Sequence, residues 1–394
     1  MLFLLVFDVG AHITIREDGC QHLFEDFFSK ASFVFSLTTN KNIYVCMNKK
    51  PHPHDKKRVL FVCKKRPACY GESYGLLNSC RFLCNALEDM GVEARTVEVH
   101  DNNDIDRVVT AFKPTHCFIE ALWVVAEKFP VLIKLHPKVK WYVRLHSNVP
   151  FIANEGMAID WIKKYLELQW TYPTFALCCN SEKMVNDIGR TLGTSLYPVY
   201  GPNIYQPSTK APPPADKGDK NPFIDIGCFG AIRPLKNQLI QAMAAICLAD
   251  KLGKVLRFHV NVARIEAHGL NVYKNLKALF TGSRHQLITH GWLNHPEFLD
   301  LIAFMDLGLQ VSFSETFNIV SADFVYVNIP VIGSSEIGWL DKAYIANTTD
   351  MNNIVDKLED AWKGRRHNHQ KVNKRGLERW NHEAREAWER LLCL

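Results

Sequence analysis

The stretch SFSETFNIVSADFVYVNIPVIGSSEIGWL, residues 312–340, carries the most information in this chain. Its order reads as strand end, acidic loop, short helix, buried strand and second loop. Glu315 falls at the strand tip and Asp323 eight positions later on the helix, while Asn318, Ile319 and Val320 occupy the helix start. A helix start offers unpaired backbone N–H groups and a partial positive charge, which suits a phosphate. Carboxylates at two heights beside it could hold sugar hydroxyls flanking a diphosphate, the layout of a nucleotide-sugar pocket. The competing reading is an ordinary strand–loop–helix turn with Glu315 and Asp323 as surface acids.

Working outward, 394 residues imply two or three domains, each able to bury its own core. A hydrophobic content of 47% and a charged content of 22% are those of a soluble globular protein. No apolar run reaches the roughly 18 residues of a membrane helix. The opening MLFLLVF lacks a basic lead and a small-residue cleavage site, so it is not read as a signal peptide. The twelve cysteines have no zinc-type spacing, and the adjacent pair Cys178 and Cys179 falls on a buried strand. They read as reduced core thiols, which places the chain in the cytoplasm. A net charge of +6 is compatible with an anionic substrate, nucleic acid or a membrane surface, and selects none of them.

Residues 1–46 have a strand-like start and a Phe-rich stretch without a clear period, and read as an extension or an over-called reading frame. From residue 58 the pattern alternates strand and helix. Strands are expected at 58–63, 94–99, 115–120, 140–145, 174–179 and 196–199, with a helix at 74–90 closed by Gly91. The Pro- and Lys-rich stretch QPSTKAPPPADKGDKN at 206–221 reads as a linker with nothing to bury. A second series follows, with strands at 223–229, 255–261, 286–289, 307–311 and 330–333. Its helices are expected at 237–252, 272–282, 296–304 and 318–327, and the tail adds two more at 351–362 and 375–392. The expected architecture is α/β: two doubly wound, Rossmann-like domains facing a cleft, 47–205 on the acceptor side and 222–376 on the donor side. Residues 377–394 are expected to form a helix crossing back to the first domain. Ligands of such sheets sit at the carboxyl ends of the strands.

Three other segments could carry chemistry. GCFGAIRPLKN, 227–237, follows a strand and precedes a long helix. Gly230 would let backbone approach a ligand, and Arg233 with Lys236 would neutralise a diphosphate leaving group without a metal. The alternative is a plain turn with solvated cations. YGESYGL, 70–76, lacks dinucleotide-fingerprint spacing, but its Gly71 and Gly75 could face the cleft. His146 ends a buried strand, where its side chain emerges at the cleft edge. Asp101, Asp104 and Asp106 resemble a metal-type cluster, yet lie between elements and read as a solvated loop and helix cap.

Taken together, these segments resemble the family-4 glycosyltransferases of the GT-B class. The family pattern S-E-x-F-G-x-x-x-x-E-A-x-x-x-G-x-P-V-I is met here by Ser314, Glu315, Phe317, Asp323, Asn328, Pro330, Val331 and Ile332. Asp323 replaces the second Glu, and Asn318 and Asn328 replace the two glycines. GAIRPLKN is similar to the family's diphosphate loop, and CNSEKMVNDIGRTLG with YPVYGPNIYQP to the end of its first domain. The resemblance covers about residues 58–392.

It implies a retaining hexosyl- or pentosyltransferase that takes a nucleotide-diphosphate sugar as co-substrate and needs no metal or other cofactor. Glu315 would bind the donor sugar, Asp323 the ribose, Arg233 and Lys236 the diphosphate, and His146 the transferred sugar. Phe317, Asn318, Ile319, Val320, Gly230, Gly71 and Gly75 would surround the donor. The acceptor is expected to be a saccharide, lipid or small molecule. DNA is a further candidate, because 49–66 and 363–375 are rich in Lys, Arg and His. A non-catalytic sugar-binding module and an epimerase on the same fold are the rivals from other classes.

Overall fold

The computed structural model describes residues 4–7, 13–16, 57–65, 74–192, 197–218, 220–266, 268–365 and 371–394. The chain divides at residue 55 into two units. In the first, Leu4–Phe7 pairs antiparallel with Ile13–Arg16.

The second unit contains two parallel sheets. The first is built from β1 (Arg58–Lys64), β2 (Glu93–Val99), β3 (His116–Glu120), β4 (Lys140–Leu145), β5 (Phe175–Cys179) and β6 (Val199–Tyr200), in the order β2-β1-β3-β4-β5-β6. Its helices are α1 (Tyr74–Asp89), α2 (Asp104–Phe112), α3 (Lys128–Leu135), α4 (Val149–Ile152), α5 (Ala158–Thr171) and α6 (Glu182–Thr191). The second sheet holds β7 (Phe223–Gly227), β8 (Val255–Asn261), β9 (Gln286–His290), β10 (Leu307–Gln310) and β11 (Val331–Gly333), ordered β9-β8-β7-β10-β11. Its helices are α7 (Gln238–Lys251), α8 (Gly269–Phe280), α9 (His295–Ala303), α10 (Ile319–Val327) and α11 (Met351–Gly364). The central strands are apolar runs rather than alternating ones because helices cover both faces. Val59, Leu60, Phe61 and Val62 of β1 are all fully buried.

The last helix, α12 (Lys371–Leu392), leans on both halves. Its Leu377 packs into the core around the second sheet and its Trp388 into the core around the first. At Gly376 a Cβ would stand 2.2 Å from the carbonyl oxygen of Trp339, so only glycine lets the helix approach there. Trp388 is fully buried, edge-on to Phe61 and Phe118 at 6.0 and 5.1 Å, and donates to the Pro202 carbonyl at 2.8 Å.

The stretch at 206–221 holds no helix or strand among its described residues, but it does bury something. Lys217 is packed against Asp225 (2.5 Å) and Asp306 (3.1 Å), and its ammonium lies over the Phe304 ring. Arg257 and His259 complete the shell around fully buried Asp225. Composition marks this stretch as polar; it cannot show that one lysine of it satisfies an acid in the neighbouring sheet.

Candidate active site

In each sheet the strand order reverses beside the first strand, between β1 and β3 and between β7 and β10. The carboxyl ends at these two switch points face one cleft of about 880 Å³. Its lining includes Gly75, His146, Gly230, Arg233, Lys236, Glu315, Asn318, Ile319 and Val320. These residues come from segments up to 245 positions apart, and the structure brings them together. Gly71 lies outside the described residues, as do half of 49–66 and part of 363–375.

The wall formed by the second sheet consists of two loops laced to each other. The Phe313 amide donates to the Leu235 carbonyl, the Gln310 amide to the Phe229 carbonyl, and Gln241 to the Lys236 carbonyl. Gly230 adopts φ 115°, a conformation side chains avoid, and its amide donates to Asn261. Within this frame Lys236 meets Glu315 at 2.5 Å, and Arg233 meets Glu266 at 3.0 Å while its guanidinium lies 4.6 Å over the Phe151 ring. Arg264 pairs with the same Glu266. All three cations line the cleft next to the start of α10.

The two asparagines that stand where the resemblance expects glycine both adopt the left-handed conformation. Asn318 has φ 59° and Asn328 φ 70°, at the N-cap and C-cap of α10. Asn is the non-glycine residue that tolerates this region best. Asn318 also caps the helix by accepting from the Ser321 amide at 2.8 Å. The backbone path that glycine would give is therefore kept.

Two residues expected around the donor are not part of the cleft lining. Phe317 is buried between Trp339 and Trp380. Asp323 is 2% exposed and accepts from the Tyr205 hydroxyl at 2.6 Å and from His295 at 2.8 Å. Phe82 of α1 lies edge-on to both partners at 5.1 and 5.0 Å. Burial raises the Asp323 carboxyl above its ordinary range, and the two hydrogen bonds only partly offset this.

The opposite wall holds a network the sequence reading did not contain. Arg144 of β4 is fully buried and donates to Glu120 Oε2 (3.0 Å), the Gly201 carbonyl (2.8 Å) and Asn203 Oδ1 (2.5 Å). His146 Nε2 bonds the same Glu120 oxygen, and its Nδ1 faces the Asn180 amide at 3.3 Å. Burial would raise Glu120, but the adjoining Arg144 and His146 outweigh it and hold the carboxyl low. His146 is lowered, chiefly by burial. Both of its ring nitrogens are engaged within the protein. The amides of Asn148 and Asn180 then cross to the other wall, to the Glu315 carbonyl (2.7 Å) and Thr316 Oγ1 (3.1 Å). Glu120 ends a strand that the sequence does reveal; its pairing with residues 24 and 26 positions onward carries no local signal.

Asp104 accepts from the His100 amide and pairs with Arg107, and Asp106 pairs with His136, all at the start of α2. Among the described residues no group of three or more His, Cys, Asp or Glu is placed to hold a metal. No described helix is long and apolar enough to cross a membrane. The described cysteines are free thiols, and Cys178 and Cys179 are both buried in β5.

No protein-family model and no curated protein matches the sequence. Solved structures do. OtsA is similar with a TM-score of 0.57 at 12% identity, over 86% of this chain and 99% of that one. A sucrose-phosphate synthase from Thermosynechococcus elongatus gives 0.55 at 13%, over 85% and 97%. HepE from Anabaena, crystallised with UDP and glucose, gives 0.54 at 11%, over 84% and 99%. At such identities the likeness speaks for architecture, and with the two parallel sheets and their shared cleft it gives the chain the GT-B fold.

Proposed function

We propose that this chain is a glycosyltransferase that moves a sugar from a nucleoside-diphosphate donor to a hydroxyl acceptor, with retention of anomeric configuration. The observation that carries the reading is the donor-side wall. Arg233, Lys236 and Arg264 line the cleft together with Asn318, Ile319 and Val320 at the start of α10. Solved structures of one neighbour on the same fold, HepE, hold UDP and UDP-glucose.

In this reading the donor's diphosphate takes over Lys236 and Arg233 from Glu315 and Glu266. Glu315, released from its ion pair, accepts hydroxyls of the donor sugar. The C1–oxygen bond to the diphosphate breaks as positive charge develops on the sugar ring, and the two cations with the α10 amides stabilise the charge left on the phosphate. The acceptor oxygen then bonds C1 on the same face, and its proton passes to the departing phosphate oxygen. His146 sits beside the transferred sugar, held by Glu120 and Asn180 rather than supplying a free ring nitrogen.

The test is a donor screen. Release of nucleoside diphosphate is measured from a panel of nucleotide sugars, with and without saccharide, lipid-linked and small-molecule acceptors. Turnover of at least one donor, enhanced by an acceptor, is expected. Absence of release from every donor, with no binding of any nucleoside diphosphate by calorimetry, would defeat the reading.

A further inference from the structure

Four buried side-chain oxygens on the acceptor-side wall have no hydrogen-bond partner; one is the Ser79 hydroxyl, and the other three, Glu120 Oε1, Asn148 Oδ1 and Asn180 Oδ1, are carboxylate or amide oxygens that can only accept. The residues of these three line the cleft and are 0%, 2% and 1% exposed. Buried polar atoms are almost always paired, so three orphans on one wall call for a ligand. The amide nitrogens of both asparagines are already spent on Glu315 and Thr316, and Glu120 Oε2 is spent on Arg144 and His146. These three oxygens themselves can only accept.

A phosphate or carboxylate brings only acceptors and would meet repulsion there. A hydroxyl brings a donor to each oxygen. Trp123, also in the lining, is held by its indole N–H on the Glu120 carbonyl at 2.9 Å and supplies an apolar ring surface at the same wall.

Resting on the transferase reading, we infer that Glu120, Asn148 and Asn180 form a subsite for one uncharged, hydroxyl-rich ring, either the transferred sugar or the saccharide acceptor. The oxygens lie buried beside the amide bonds to the Glu315–Thr316 loop, so a ring can reach them only if those bonds yield. The site selects by donor count: a deoxy sugar leaves a buried acceptor unpaired and is rejected.

Saturation-transfer NMR on the full chain tests this with methyl glycosides of glucose, galactose, mannose and xylose, each alone, with UDP and with UDP-glucose. At least one glycoside should take up saturation, and its affinity should fall roughly tenfold or more in Asn148→Ala or Asn180→Ala proteins of near wild-type melting temperature. A glycoside displaced by UDP-glucose but not by UDP occupies the transferred-sugar position; one that stays with both occupies the acceptor position. No saturation from any glycoside, or affinity unchanged in both variants, would overturn the subsite. The readout needs no turnover. Diphosphate release without glycoside binding would therefore sink the subsite alone, and glycoside binding with neither turnover of any donor nor binding of any nucleoside diphosphate would sink the transferase reading alone.

Discussion

Two buried carboxylates, one behind each wall of the cleft, behave in opposite ways. Burial pushes Glu120 up, but the buried Arg144 guanidinium, with His146 beside it, outweighs this and holds the carboxyl low. Asp323 is raised because burial is met by a tyrosine hydroxyl and an imidazole. The difference teaches that a buried acid takes its role from its partners and not from its place in a motif. Sequence spacing draws attention to Asp323, yet the cleft lining contains Glu120.

Substitution should separate the two most sharply. Glu120→Gln leaves the Arg144 charge buried without its counter-ion and should cost about 3–5 kcal/mol in urea unfolding at pH 7. Asp323→Asn keeps an oxygen for the Tyr205 hydroxyl and should cost no more than about 1 kcal/mol. Equal losses would erase the distinction.

The pH dependence should divide the same way. Glu120 has a lowered folded-state value, so its contribution is complete above the ordinary glutamate range and is lost as pH falls through the folded value. Asp323 has a raised value, so its contribution is present below the ordinary aspartate range and is lost as pH rises through the folded value. The stability gap between wild type and Asp323→Asn should thus move in favour of wild type on going from pH 7 towards pH 4. A gap that moves the other way would contradict the assignment.

A smaller effect bears on the donor-side wall. Asn328→Gly should leave the melting temperature close to wild type, whereas Asn328→Val should cost about 1–2 kcal/mol or more, because a branched side chain resists positive φ. If valine is tolerated, the turn after α10 does not need its left-handed conformation.

The donor-side wall is legible in the sequence because it is made of contiguous pieces. Strand, loop and helix start follow one another at 223–237 and again at 307–320, and Arg233 and Lys236 fall inside the first of them. Expected and observed helices there differ by a few residues at their ends, such as 272–282 against Gly269–Phe280. The acceptor-side wall is assembled from the ends of β3, β4 and β5, and a pairing across strands leaves no period in any of them. The same limit hides the partners of Asp323, since Tyr205 and His295 lie 118 and 28 positions away. It also hides the docking of Lys217 on Asp225.

The central claim is that Lys236 beside the α10 start receives the charge of a departing diphosphate. Its most direct test is turnover of the preferred nucleotide sugar by wild type and by Lys236→Ala protein of unchanged melting temperature. A fall of about a hundredfold or more in kcat is predicted, the size expected when one stabilising group is removed from the developing charge; a folded Lys236→Ala protein that turns over at the wild-type rate would contradict the account.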